Sequence, residues 1–256
     1  VEICRQLDGM PLAIELAAAR FAVLSADQVL ERLEQRFRFL GSDLSGRDLR
    51  HRNLLSLLEW SYQLLSASER RLLQWLAVFM RGWMVEGAVN IAGVLGHDPP
   101  MTVDLLSGLV NKSLVSVDTS LTPPRYLLLE TVREFGLKQL AASGEERLAR
   151  DAHLAYFRWM AASIDADIHT DRVRKRLPQL EHEDANIRSA IEYGSSFGEG
   201  RVSAMAIAGS LMLYWRGRGN YYFALRNYEI ALRGSHGVHS PERARAMLGY
   251  GVNLLF

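Results

Sequence analysis

The 256-residue chain holds one cysteine, Cys4. No disulfide can form within it, no thiolate cluster can bind a metal, and a lone thiol suits a reducing compartment such as the cytoplasm. Lysine is scarce too: of 30 Lys and Arg residues only Lys112, Lys138 and Lys175 are Lys, the other 27 being Arg. Arginine-rich coding in a GC-rich genome explains that bias without a function. None of the three lysines follows a glycine, so the G-x-x-x-x-G-K-[ST] phosphate loop is missing and this chain cannot hydrolyse ATP alone. Long apolar runs are absent as well, because Glu15 and Arg20 interrupt the longest one, well short of the roughly 18 residues a membrane helix needs. No charged-then-apolar leader opens the chain, and a soluble protein is expected. The seven histidines never fall in an H-E-x-x-H pattern, and no Ser/His/Asp order can be argued from scattered residues. Neither a zinc site nor a serine nucleophile is expected, and the chain reads as no enzyme.

What is present is ordinary globular composition, 48% apolar and 23% charged, enough for real cores in two or three modest domains. A net charge of +1 hides an asymmetry: residues 201–256 carry seven Arg against Glu229 and Glu242. Apolar residues recur at helical spacing almost everywhere, as in Leu12, Leu16 and Ala19, or Leu54, Leu57, Leu58, Tyr62 and Leu65, which predicts a mainly α protein. The start at Val1 and stop at Phe256, inside helical patterns, read as a piece of something longer.

The opening stretch "LDGMPLAIELAAAR" places Pro11 in a first helical turn, where its fixed φ and missing N–H fit. Ser25 is the expected N-cap of a second helix, ahead of Asp27. "GSDLSGRDLR", Gly41 to Arg50, reads as a linker. A helix follows near His51 to Leu65, then Ser66-Ala67-Ser68-Glu69 at capping-box spacing, opening a helix that Gly82 is expected to end. A short helix near Val85 to Ala92, a loop forced by Gly96-His97-Asp98-Pro99-Pro100, and a helix over Thr102 to Asn111 come next. Leu114 to Val117 and Tyr126 to Leu129 flank "DTSLTPPR" as a predicted hairpin, closed by a helix from about Glu130 to Ala142. Helices followed by a small β wing outline a winged helix. From Glu145 onward only helices are expected. Gly219-Asn220-Tyr221 before Ala224, Tyr228 and Ala231 gives the small and aromatic spacing of a tetratricopeptide-like unit, with Leu211 and Trp215 on the partner helix and Leu248-Gly249 restarting it.

These pieces, in this order, resemble the middle of bacterial signal-transduction ATPases with numerous domains, the large transcriptional regulators often labelled LuxR-family or AfsR-type. "LDGMPLAIELAAAR" is similar to the Gly-Leu-Pro-Leu motif ending their NB-ARC-like nucleotide-binding module. "RHRNLLSLLEWSYQLLSASERRLLQWLAVF", "LVNKSLV" and "RYLLLETVREFG" resemble parts of their winged helix. The resemblance implies ATP or ADP bound in a longer parent, with Pro11 against the adenine beside Gly9 and Met10, an upstream nucleotide-binding domain as partner in cis, and an opening helix wedged between that domain and its own. In related switch proteins a Met-His-Asp motif puts a His on the ADP phosphate. The matching residues here are Leu128-Leu129-Glu130, and Leu129 cannot make that bond.

Blander readings stand beside these. Gly9 and Pro11 alone need be no more than a turn and a helix start, and Trp60-Ser61-Tyr62 reads as core packing. His182-Glu183-Asp184 reads as a solvated first turn. A DNA reader needs exposed Arg, Lys, Asn or Gln on its recognition helix. Thr102 to Leu114 offers Asp104, Asn111 and Lys112, and the wing tip adds Asp118 and Arg125, so DNA contact is disfavoured. Arg216, Arg218, Arg226 and Arg233 either solvate outer helix faces or line a groove for an acidic protein or a small effector. The expected architecture is a helical end of a nucleotide-binding module over 1–44, a winged helix over 45–143 and an incomplete tetratricopeptide-like domain over 144–256. The expected role is a non-catalytic, nucleotide-dependent switch and protein-interaction scaffold inside a transcriptional regulator. The alternative is a DNA-binding winged-helix regulator with a helical dimerisation domain.

Overall fold

The computed structural model describes residues 3, 7, 11–22, 24–38, 46–171, 178 and 180–255. The fold is mainly α, with one small antiparallel sheet. Helix α1 (Pro11–Ala18) begins on its proline and runs into a 3-10 turn (Ala19–Ala22). It buries Ala13, Leu16 and Ala17 against α3 (Gly46–Gln63). Arg20, which interrupts the apolar run in sequence, is itself buried. Its Nε donates to the Leu16 carbonyl at 3.3 Å and its guanidinium lies 6.0 Å from the Trp60 ring centroid. Burial lowers the pKa of this guanidinium. The opening helix is not covered all round: Glu15 and Ala18 are exposed, and so is Phe21 just beyond. Helix α2 (Ala26–Arg38) starts at Ser25 as expected, with Gln28 and Ser25 each accepting the other's amide. Of the expected linker, residues 41–45 lie outside the described residues and Gly46 to Arg50 are already helical.

Helix α4 (Ala67–Leu76) opens on the full capping box of Ser66 and Glu69. It ends at Leu76 with Ala77 as its C-cap, six residues before the glycine expected to stop it. Gly82 instead sits at φ +88°, turning the chain into a strand the sequence did not advertise, β1 (Trp83–Met84). Helix α5 (Val85–Val94) and helix α6 (Pro99–Asn111) follow. Pro99 and Pro100 are not loop residues. They form the first turn of α6, where no amide donor is needed, and Asp98 caps it by accepting from the Met101 amide at 2.8 Å. Strands β2 (Ser116–Asp118) and β3 (Arg125–Leu127) are shorter than the predicted hairpin arms. The amides of Leu114 and Val115 still bond to the Leu109 carbonyl of α6, and Leu129 is already the N-cap of α7 (Glu130–Ser143). The sheet order is β1-β3-β2, with Trp83 opposite Tyr126 and Val117 opposite Tyr126 on the other side. Helix, strand, two helices joined by a short turn, then a hairpin that pairs back on the first strand is the winged-helix arrangement.

The remaining helices are α8 (Glu146–Asp167), α9 (Asp184–Ser195), α10 (Gly198–Ser210), α11 (Met212–Arg218), α12 (Tyr221–Leu232) and α13 (Pro241–Leu254). Helix α10 is packed by α8, α9, α12 and α13. Ala224, Tyr228 and Ala231 are buried as the spacing predicts, and Trp215 meets Tyr228 edge to face at 5.3 Å.

The 22-residue α8 joins the two halves. Phe79, just after α4, lies 4.9 Å from the His153 ring and 6.2 Å from Phe157, both of α8. Between α7 and α8 the chain turns at Gly144, and Glu145 reaches back to α4. Its carboxylate accepts from the Trp75 indole at 2.8 Å and from two Arg71 nitrogens at 3.0 and 2.8 Å. One apolar cluster therefore runs from Leu57 in α3 through Phe79 and Phe157 to Tyr228.

Candidate functional site

The seam between wing and helical half is built from a turn, a strand and a helix start. Arg81 and Gly82 both have positive φ, 57° and 88°, which turns their carbonyls toward β3. The Arg125 guanidinium fills that space: Nε donates to the Arg81 carbonyl at 3.1 Å and Nη2 to the Gly82 and His182 carbonyls, both at 2.8 Å. Nη1 pairs with Glu183 at 2.5 Å, the two side chains being 5% and 2% exposed. Asn186, one turn into α9, ties the seam shut. Its amide nitrogen donates to Glu183 at 2.6 Å and to the Gly82 carbonyl at 3.0 Å, and its oxygen accepts the Met80 amide at 2.5 Å. Every partner of this buried ion pair is itself bonded, which is the condition for such a pair to be tolerated.

Two expectations are corrected here. His182-Glu183-Asp184 is no solvated first turn: Glu183 is buried, and burial also raises the Asp184 carboxyl pKa although Arg218 stands 3.2 Å away. Arg125 is no wing-tip cation, because the strand carries it inward. What the sequence could have offered is the unusual pairing of an Arg beside the wing with an Asn one turn past a Glu, but nothing local links positions 125 and 183.

His153 lies behind the seam. Burial drives its imidazole pKa down to about 3, the neighbouring Asn186 side chain opposing only in part.

The outward side of α6 carries Met101, Val103, Asp104, Ser107 and Asn111 as exposed residues. Lys112, the cation at its end, is spent on Glu69 at 2.5 Å. Burial pushes the Glu69 carboxyl up, but the Lys112 ammonium and the Ser66 amide outweigh it and hold its pKa below the usual carboxylate range. Asp118 is held low by the Ser120 hydroxyl and amide, so the wing presents a carboxylate. The exposed face of α6 is therefore apolar, acidic and amide-bearing.

Of the proposed nucleotide contacts, Gly9 and Met10 lie outside the described residues, and Pro11 is described only as the first residue of α1. Leu129 is exposed at the N-cap of α7. Arg218 is engaged by Asp184, by Glu181 at 3.4 Å and by the Tyr214 hydroxyl, and Arg226 by Glu229. Trp60 is buried, and Tyr62 packs edge-on against Phe135 at 5.2 Å, as core residues do. Among the described residues no group of His, Cys, Asp and Glu could hold a metal, and no helix is long and apolar enough to cross a membrane.

Fold and seam together define a winged helix clamped onto a helical array. The chain is 34% identical over 250 residues to proteins of Mycobacterium tuberculosis and Mycobacterium bovis whose names provisionally assign them to the HTH-type transcriptional regulators. That match covers 96% of this chain and 28% of theirs, so the chain spans under a third of their length. A further Mycobacterium tuberculosis protein, with no function in its name, is 40% identical over 158 residues, 61% of this chain and 39% of its own. No family model and no solved structure matches.

Proposed function

We propose that this chain is an internal regulatory section of a larger transcriptional regulator, in which the winged helix is a docking and transmitting unit, not the duplex reader. A regulator role is supported by the names of the mycobacterial relatives. The docking role rests on one observation: Arg125, the only basic residue of the wing hairpin, is buried against Glu183, while the exposed face of α6 has no cation. In this reading a change in the helical half reaches the winged helix through α8 and the seam, as a shift between packed arrangements. No catalytic step is assigned to the chain.

The nucleotide role of Pro11, with Gly9 and Met10, is a proposal carried by the sequence pattern alone. It needs residues outside this chain, and loss of ADP affinity in a Pro11→Ala variant of a longer protein is its test.

The names of the relatives favour a second reading, a winged helix that binds DNA itself. Fluorescence anisotropy with a labelled duplex separates the two. Docking predicts no sub-micromolar affinity at moderate salt. Affinity that falls steeply between about 50 and about 200 mM salt, the mark of phosphate neutralisation, establishes the DNA reader and removes the docking role.

A further inference from the structure

Between α12 and α13 lies an open cleft of about 490 Å³, within the size range of small-molecule sites. One wall is apolar, formed by Leu232, Met247 and Tyr250; the other holds Arg233, His236 and Arg243. Glu229 also lines the cleft, but its carboxylate faces Arg226 at 3.2 Å. The Arg233 guanidinium has no side-chain or backbone partner among the described residues. Arg243 spends only Nε, on the Ser235 hydroxyl at 3.3 Å. Behind the turn, Arg201 stands within 3.6 Å of where a side chain on Gly234 would begin, its Nε buried without a partner. Free guanidinium donors facing a Met and a Tyr are an unbalanced surface.

We propose that this cleft binds a small organic anion, a phosphate or carboxylate attached to an aromatic or alkyl body, with Arg233 and Arg243 on the charged group and Met247 and Tyr250 on the body. Arg suits this role because its planar fork can hold two oxygens of a carboxylate or phosphate at once. The site is separate from the seam and from the α6 face, so it stands whichever reading of the winged helix holds.

Isothermal titration of the 256-residue chain with phenyl phosphate, phenylacetate, inorganic phosphate and phenol tests it. The expected result is saturable binding of phenyl phosphate or phenylacetate at one site, the better of the two identifying the headgroup, with inorganic phosphate and phenol each weaker by about tenfold or more, since each fills one half of the cleft. Arg233→Glu with Arg243→Glu weakens binding about tenfold or more, whereas Arg188→Glu, on α9 and paired with Glu192, changes nothing. Hydrogen exchange on the unmutated chain gives a readout independent of variant folding: protection concentrates in residues 232–251. Lack of saturable binding, equal affinity in the double variant, inorganic phosphate as tight as phenyl phosphate, or protection elsewhere overturns the proposal. Binding of a poly-glutamate peptide alone also overturns it, in favour of a protein partner.

Discussion

Arg125 of β3 and Glu183 at the start of α9 face each other at 2.5 Å across the wing seam, almost wholly removed from solvent. Removing one partner leaves the other charged, buried and unpaired, which costs about 3–5 kcal/mol, whereas replacing both by apolar residues of similar size is often close to neutral. Glu183→Ala is expected to lower the urea midpoint sharply, and Arg125→Met with Glu183→Leu to recover only part of that loss, because the Arg81 and His182 carbonyls then lose their donor. A double variant as unstable as the sum of the singles would show that the two do not act as a unit.

Gly82 is the hinge on which the seam is built. Its φ of +88° and the closeness of the Tyr126 carbonyl and Leu127 side chain leave no room for a Cβ. Gly82→Ala is expected to destabilise the chain by at least about 1 kcal/mol, read as a fall in thermal midpoint. Gly93→Ala, where a Cβ meets open space in the last turn of α5, is expected to stabilise slightly, because alanine holds a helix better.

His153 makes stability depend on pH. Its folded pKa, about 3, lies below the ordinary value of 6.5, so the unfolded chain takes up the proton first. Stability from this group is complete above about pH 6.5 and is lost as pH falls toward 3, at about 1.4 kcal/mol per pH unit. Glu69 and Glu145, whose pKa values are lowered, stay charged from pH 6.5 to 5, and the raised Asp184 carboxyl acts in the opposite direction, so His153 is read by difference against its own variant. Denaturation of a His153→Gln variant across that window is expected to give a flatter profile. An unchanged slope would place the linkage elsewhere.

Tyr228 buries its hydroxyl against Gly249, and no partner for that oxygen exists among the described residues. An orphaned buried hydroxyl costs free energy that its removal restores. Tyr228→Phe is therefore expected to hold or raise the thermal midpoint, while Gly249→Ala, which drives a methyl into the same ring, is expected to lower it. A marked loss in Tyr228→Phe would reveal a bond to that oxygen.

Local signals carried much of this architecture. Ser66 with Glu69, Ser25 at its N-cap, Asn220 before α12 and the buried spacing of Ala224, Tyr228 and Ala231 are short-range features, and a periodic sequence displays them directly. Strand β1 was not legible, because two residues show no alternation and exist as a strand only by pairing with β3. Pro99 and Pro100 were misread because a proline pair signals a break equally well as a helix start, and the cap of Asp98 decides between them. The candidate site was the least legible part. Arg125 and Glu183 are far apart in the chain, the first between a proline pair and an apolar strand and the second in a run of charged residues, and only the fold buries them together. Gly9 and Met10 of the opening pattern lie outside the described residues.

The clasp of Glu145 on Arg71 and Trp75 has a mechanical meaning. A protease that nicked the backbone at Gly144 would not set the pieces adrift. Phe79 would still nest beside His153 and Phe157, the carboxylate would keep its grip on α4, and both cut ends would stay where the intact loop had left them. What holds one half to the other is thus side-chain contact as much as the covalent chain.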